Sequence, residues 1–177
     1  MNDSASFVLS KNDGGFFDPT LPERKQLSHD IPPWVEEGVI HFITINCATR
    51  AYNQLAHPVI ADEIEKSVLY YQNASKWWIH CLLLMPDHLH GLITFSQDVN
   101  MQRVVSDWKR YIARKTGIKW QRDFFDHRIR VQESLDEKWH YIRNNPVRKN
   151  LVQSSDDWPY QWHYGMARNA SPTSSPQ

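Results

Sequence analysis

Short apolar runs separated by polar stretches divide the middle of the chain. Residues 39–47, 77–85 and 88–95 are three such runs, and they have the length and residue types of buried strands. A single Pro-Asp pair separates the second run from the third, so we expect these two strands to form a β-hairpin. Residues 124–131 alternate between apolar and polar positions well enough to predict a fourth strand.

Three other stretches place apolar residues three or four positions apart, with charged residues between them. Residues 58–74 and 101–115 have this pattern. Pro58 at the start of the first and Gly117 just after the second are typical of helix boundaries. Residues 135–144 repeat the pattern and stop shortly before a proline, which cannot continue a helix. We therefore predict three amphipathic helices.

The order of these elements is strand, helix, strand, strand, helix, strand, helix. It predicts an α+β fold, the ferredoxin-like, split βαβ sandwich with an antiparallel sheet, followed by a C-terminal helix. The aromatic segment 156–162 should pack back onto this core. We expect one domain over residues 36–165, with a partly flexible arm before it (1–35) and a disordered tail after it (166–177).

The same pattern argues against several classes of protein. No apolar run reaches the roughly 18 residues that a membrane-spanning helix needs, and the first residues lack the layout of a secretory signal. We therefore expect a cytoplasmic protein without a membrane segment. Cys47 and Cys81 each lie inside an apolar run, which predicts buried free thiols rather than a disulfide or a zinc site.

The formal net charge is zero, but the charges are unevenly distributed. Residues 101–150 contain 13 of the 20 Lys and Arg and 6 of the 20 Asp and Glu, an excess of +7 that the rest of the chain balances. Such a segment predicts contacts with nucleic-acid phosphates, although a solvated charged face explains any single residue equally well. The candidate DNA-binding residues are Lys109, Arg110, Arg114, Lys115, Arg122, Arg130, Arg143 and Arg148.

Two histidines stand at alternate positions of the third apolar run. Alternate residues of a strand face the same side, so His88 and His90 can present both imidazoles to one divalent cation, while Leu89 faces the core. Two histidines are a partial metal site only. An isolated pair of this kind can equally well make ordinary hydrogen bonds near the surface.

The helix predicted before Pro146 offers groups that would complete such a site. Tyr141 and Asn145 are four residues apart and therefore lie about one helical turn apart on the same side. A phenol is a weak nucleophile at its usual pKa of about 10, so it needs a nearby cation or base. Without the histidine pair, Tyr141 would be explained better as a packing residue.

Three motifs together resemble a known family: Met85–His90 (MPDHLH), residues 120–130 (WQRDFFDHRIR) and Tyr141–Val147 (YIRNNPV). They are similar to the motifs of REP-associated tyrosine transposases, a branch of the HUH single-strand transposases and nucleases with an IS200-like transposase domain. The resemblance extends from about Arg24, through residues 27–32, to Pro159.

The resemblance implies a chemistry for each motif. His88, His90 and Asn145 would bind Mg²⁺ or Mn²⁺, and Asn145 stands where many relatives have Gln. Tyr141 would attack a DNA phosphate and form a 5′-phosphotyrosine link with a free 3′-hydroxyl. The partner would be single-stranded DNA that folds into hairpins, bound by a monomer or a homodimer.

Two other functions remain open on the sequence. The chain could be a hairpin-binding protein without catalytic turnover, although the complete set of candidate site residues argues against this. It could also be a metallohydrolase that acts on a small phosphoester, with Tyr141 incidental. A small substrate needs only one or two cations, so this last hypothesis leaves the basic segment unexplained.

Overall fold

A computed structural model describes residues 38–129 and 135–164. The predicted arm and tail, the end of the predicted fourth strand and Arg130 lie outside these residues. The strands are β1 (Ile40–Asn46), β2 (Trp77–Met85), β3 (His88–Phe95), β4 (Phe125–Arg128) and β5 (Gln161–His163). The helices are α1 (Pro58–Asn73), α2 (Met101–Thr116), α3 (Leu135–Arg143) and α4 (Asn145–Arg148), and a 3₁₀ turn covers Ser155–Asp157.

The five strands form one sheet in the order β4-β1-β3-β2-β5, and every neighbouring pair is antiparallel. The first four strands in this order, with α1 and α2 as the two crossovers, are the split βαβ arrangement. The predicted α+β, ferredoxin-like sandwich is therefore confirmed. Strand β5 was not predicted as a strand; the sequence indicated only that this region packs back onto the core.

Each face of the sheet has its own hydrophobic core. The α1/α2 face is covered by those two helices and includes Leu89 and Ile93 of β3 with Val105 and Trp108 of α2. The opposite face, which we call the α3 face, holds a second cluster: Cys81, Leu83, Met85, Leu92, Trp139, Ile142 and Trp158. Strand alternation therefore sends the β3 residues with even numbers toward α3.

Helix α3 is held against the sheet largely by the segment that follows α4. The indole of Trp158 donates a hydrogen bond to the carbonyl of Leu84 (2.8 Å), and Trp139 packs edge-on against His163, with ring centroids 3.9 Å apart. Arg143, at the end of α3, forms an ion pair with Asp156. The position of α3 on the sheet thus depends on a segment that comes after it in the chain.

Two further expectations can be compared with the described residues. Cys47 and Cys81 are buried free thiols, as predicted. Among the helices of residues 38–129 and 135–164, none has both the length and the apolar character needed to cross a bilayer.

Candidate functional site

His88 and His90 lie next to each other on the α3 face of the sheet. In the pairing of β1 with β3, His88 stands opposite Asn46 and His90 opposite Thr44. The centroids of the two imidazole rings are 4.8 Å apart, and the rings are nearly perpendicular. The alternation that the sequence predicted is therefore present, and the two rings lie side by side on one face of the sheet.

Each imidazole is oriented by a hydrogen bond at its Nδ1 atom. His88 donates to the carboxylate of Asp87 over 2.7 Å, and the Nδ1 of His90 is hydrogen bonded to the hydroxyl of Thr44 over 2.9 Å. Phe42 also stacks on the His90 ring at a centroid distance of 5.4 Å. Partners of this kind leave the Nε2 atoms for a metal and fix the direction in which they point.

Burial favours the neutral form of both histidines. Burial lowers the pKa of His90 to about 3, and interactions with the neighbouring His88 and with the positive charge of Arg148 lower it further. Burial also lowers the pKa of His88, although the adjacent Asp87 acts in the opposite direction. Neutral imidazole is the form that binds metal ions. The protonation state of the pair therefore fits a cation site.

Asp87 connects this pair to the loop after β1. Its carboxylate accepts a hydrogen bond from the backbone N–H of Ala51 (2.7 Å) and pairs with Arg50 (3.2 Å), as well as with His88. Burial on its own would raise the pKa of Asp87, but the hydrogen bonds from His88 and Ala51 and the charge of Arg50 outweigh it and the pKa is lowered. Asp87 is thus an ionised group that orients His88.

Sequence reasoning did not identify these supporting residues. Asp87 could have been found, because a carboxylate directly before the first histidine is a natural partner for its ring. Thr44 and Phe42 are 46 and 48 positions before His90, and only the pairing of β1 with β3 brings them to it. No local signal in the sequence marks those two residues.

Arg148 joins the other two candidate site residues. Its guanidinium lies over the ring of Tyr141, with 4.1 Å from its central carbon to the ring centroid, and it donates a hydrogen bond to the side-chain oxygen of Asn145. The charge of the same guanidinium is one of those that lower the pKa of His90. Tyr141 and Asn145 therefore both contact Arg148, and they lie on the same face of the sheet as the histidine pair.

Asn145 does not extend the helix that carries Tyr141. Helix α3 ends at Arg143, and Asn145 begins the short helix α4, with Pro146 in its first turn. Tyr141 is 54% exposed, so its ring is accessible from solvent. The two side chains nonetheless remain close, because Arg148 contacts both of them.

The available donor atoms limit what the site can hold. In the part of the chain that the structure describes, no group of three or more His, Cys, Asp and Glu side chains is arranged around one position. Among these described residues, the amide oxygen of Asn145 is a neutral group that could serve as a third protein ligand beside His88 and His90. Two imidazoles and an amide oxygen suit a divalent cation that keeps open positions for water or phosphate.

The predicted DNA-binding residues separate into different surroundings. Arg110, Arg114 and Lys115 lie on α2, in the helix layer opposite to α3, and Arg110 pairs with Asp107 at 3.0 Å. Arg122 and Arg110 border a shallow groove of about 410 Å³ together with Trp120. Arg143 and Arg148 lie on the α3 side.

Lys109 differs from the other cations. It is only 7% exposed, and its ammonium donates hydrogen bonds to the carbonyls of Gln121 and Arg122, both at 2.8 Å. Burial lowers its pKa. Lys109 stands four residues after Val105, on the apolar side of α2, so its stem lies in the core layer and its charge is used within the protein. A phosphate contact by this residue does not fit the structure.

Comparison with known proteins agrees with the motifs. A curated protein of Haemophilus influenzae, named as a candidate REP-associated tyrosine transposase, is 28% identical over 97 residues, which are 45% of this chain. The match spans only 54% of that relative's length. No protein-family model matches the chain.

A solved structure has a similar fold. It is a REP-associated tyrosine transposase bound to a REP hairpin, with a TM-score of 0.59 and 25% identity. The alignment covers 70% of this chain and 76% of that chain. The predicted resemblance to REP-associated tyrosine transposases is therefore confirmed in both sequence and fold.

Proposed function

We propose that this chain is a transposase-type enzyme that cleaves and rejoins single-stranded DNA at hairpin-forming repeats, with Tyr141 as its nucleophile. The similarity to REP-associated tyrosine transposases supports this class, and the similar solved structure holds a REP hairpin. One observation carries the proposal for this chain: Arg148 contacts both Tyr141 and Asn145 on the face of the sheet that holds the histidine pair, and its charge also acts on His90.

The groups that would hold a metal ion are His88, His90 and Asn145. A bound Mg²⁺ or Mn²⁺ would neutralise charge on the reacting phosphate and position its oxygens. Asp87 and Thr44 keep the two Nε2 atoms aimed at that position. Arg148 already contacts the Asn145 oxygen, so ligation by Asn145 requires this guanidinium to move, and the phosphate is the natural new partner.

The proposed reaction begins when the Tyr141 oxygen attacks the phosphorus atom. A bond forms between that oxygen and phosphorus, and the bond from phosphorus to the 3′ oxygen breaks. The phenol releases its proton to solvent, and the departing 3′ oxygen takes up a proton. The products are a 5′-phosphotyrosine link and a free 3′-hydroxyl, and attack by a 3′-hydroxyl on the same link rejoins a strand.

Four exposed cations are proposed to contact DNA phosphates outside the reacting centre: Arg110, Arg114, Lys115 and Arg122. Arg148 is proposed to contact the reacting phosphate itself. Arg122 belongs to a segment whose Lys119 carbonyl accepts a hydrogen bond from Ala48, just after β1 (2.7 Å). The next residue toward β1, Cys47, donates to Asp87. The groove at Arg122 is therefore at the same end of the sheet as His88, which allows one strand to reach both.

Covalent capture of DNA tests the proposal. The full chain is incubated with labelled hairpin DNA that has randomised single-stranded flanks, in the presence of Mn²⁺, and then separated on a denaturing gel. We expect a band of labelled protein that is absent after removal of the metal with a chelator and absent for Tyr141→Phe. The matched control is Tyr70→Phe, which changes another exposed tyrosine, on α1, and should keep the band.

The other outcomes distinguish the alternatives. Cleavage that persists in Tyr141→Phe without a protein-linked product would favour a metallohydrolase. Hairpin binding without any cleavage by the unmodified chain would favour a binding protein that lacks turnover. Either result would overturn the proposed role of Tyr141.

A further inference from the structure

A cavity of about 470 Å³ opens beside His88. Three segments that are distant in sequence form its walls: the loop after β1, the turn between β2 and β3, and the segment after α4. Arg50 and Lys149 face it from two of these segments, and Asp87 and His88 face it from the third. The cavity is thus continuous with the histidine pair.

The charges around the cavity leave one cation uncompensated. Arg50 pairs with Asp87 at 3.2 Å, so these two charges offset each other. Within residues 38–129 and 135–164, the ammonium of Lys149 has no hydrogen-bond or ion-pair partner, and it is exposed. One free ammonium beside a neutralised pair suits a ligand with a single phosphate.

The remaining walls are apolar. Met85 and Pro86 form part of the cavity, and Leu151 closes its other side. Leu151 is 41% exposed, which makes it one of the few large hydrophobic side chains on the described surface that remain accessible. A cavity that combines apolar walls with a few polar groups is typical of a small-molecule or nucleotide site.

The cavity walls are held by backbone contacts. The N–H groups of Gln54 and Leu55 both donate to the carbonyl of Pro86, at 2.7 and 3.0 Å. Ala51 and Asn150, one on each side of the cavity, have φ angles of 59° and 54°. Left-handed backbone at residues other than glycine is uncommon and persists where the surrounding structure imposes it. The two hydrogen bonds to Pro86 therefore join the loop after β1 to the turn between β2 and β3.

We propose that this cavity binds one nucleotide of a single DNA strand, next to the phosphate that Tyr141 attacks. This proposal rests on the proposed function. Lys149 binds the phosphate of that nucleotide, and Leu151 with Pro86 covers its base and sugar. The strand must be single at this point, because a base that is paired and stacked in a duplex is not free to enter a cavity.

Binding measurements in a non-reacting background test the proposal. The full chain with Tyr141→Phe is titrated into a fluorescent hairpin oligonucleotide that the unmodified chain has selected from a pool with randomised flanks. Lys149→Gln should weaken binding about fivefold near 0.1 M salt and reduce the slope of log affinity against log salt by about 0.7. The control Lys76→Gln, at the opposite end of β2, removes an exposed charge and should leave binding within twofold.

Abasic sites identify the nucleotide. One abasic position in the single-stranded flank should weaken binding several-fold, and Leu151→Ser should remove most of that penalty because the wall that the base contacts is gone. Both substitutions are at exposed residues, and their unfolding curves are compared with the parent.

The outcomes separate the cavity proposal from the proposed function. The cavity proposal is wrong, while the proposed function stands, if the unmodified chain captures DNA covalently but two results fail. Those results are a weaker binding of Lys149→Gln than of Lys76→Gln, and an abasic position whose penalty depends on Leu151. If the chain neither captures nor binds the DNA pool, both are wrong.

Discussion

The two faces of the sheet use polar side chains in different ways. On the α1/α2 face, charged residues pair with neighbours on their own helix: Lys66 with Asp62 on α1, and Arg110 with Asp107 on α2. Exposed pairs at such spacings contribute about 0.5 kcal/mol or less to stability. They are the ordinary surface of an amphipathic helix.

On the α3 face, polar side chains find partners far away in the sequence. His90 pairs with Thr44 across 46 residues, and the indole of Trp158 reaches the carbonyl of Leu84 across 74 residues. These contacts are partly or fully buried, where an unpaired polar group is costly. The comparison teaches that the polar side chains around the histidine pair are linked to distant segments, whereas the surface charges of α1 and α2 pair locally. A buried long-range hydrogen bond alone does not mark the site, since Trp108 of α2 also donates to Ser67 of α1.

The largest effect should follow removal of the indole that anchors the α3 face. Trp158→Ala should lower the free energy of unfolding by about 3–5 kcal/mol, because it leaves a cavity in the second core and an unpaired carbonyl on Leu84. Tyr70→Ala on the α1/α2 face, where the side chain is 70% exposed, should change it by less than about 0.5 kcal/mol. Urea denaturation measures both. Equal losses of unfolding free energy in Trp158→Ala and Tyr70→Ala would contradict this difference between the two faces.

A smaller loss should follow a change in the group that orients His88. Asp87→Asn should weaken Mn²⁺ binding by about 10- to 100-fold, measured by calorimetry, because the substituted amide no longer accepts the His88 proton as a carboxylate does. Asp107→Asn is the control on α2, where the carboxylate pairs only with exposed arginines of its own helix. An unchanged affinity for Mn²⁺ in Asp87→Asn would show that Asp87 does not support metal binding.

Acid should destabilise the chain partly through a histidine of β2 that takes no part in the site. His80 is buried against Thr94, and burial lowers its pKa to about 4. The unfolded chain binds the proton with a pKa near 6.5, so stability is lost as the pH falls from about 6.5 toward 4.

Between pH 7 and pH 5, His80→Gln should lose about 2 kcal/mol less stability than the unmodified chain. The measurement is urea denaturation at both pH values, with His57→Gln in the loop before α1 as the control. An equal loss of stability between the two pH values in His80→Gln and in the unmodified chain would contradict the assignment of this loss to His80.

The smallest effect is expected for a single cation of α2. Arg114→Gln should weaken binding of the hairpin by no more than about fivefold near 0.1 M salt, with a change in salt slope of about 0.7. Fluorescence anisotropy over a range of salt concentrations measures both quantities. A loss above about a hundredfold would mean that the α2 surface, and not the α3 face, dominates binding.

The sequence pattern predicted the order of the main strands and helices, because alternation and helical spacing are properties of each segment taken alone. It did not predict β5, which has three residues and is a strand only because it pairs with the edge of β2. It also did not predict the break between α3 and α4. A proline ends one helix and is equally compatible with the first turn of the next, so the pattern cannot distinguish a stop from a restart.

Lys109 illustrates the same limit in the site analysis. Its position among basic residues suggested a surface cation, whereas its spacing from Val105 and Ile112 places it on the buried side of α2. The two carbonyls that accept its hydrogen bonds belong to a loop after the helix. A count of charges therefore located the basic segment but could not show that Lys109 is buried and hydrogen bonded within the protein.

By itself, the sequence determined that His88 and His90 share one face, since this follows from the alternation of side chains along a strand. The closeness of Tyr141 and Asn145 was predicted from one continuous helix, whereas the structure breaks that helix between them and Arg148 contacts both side chains. Only the tertiary structure decided that α3 covers the same face as the histidines, that Thr44 pairs with His90, and that Arg148 contacts both Tyr141 and Asn145. The reason is physical: which helix covers which face depends on burial summed over residues that are far apart in the chain, and no local pattern records that sum.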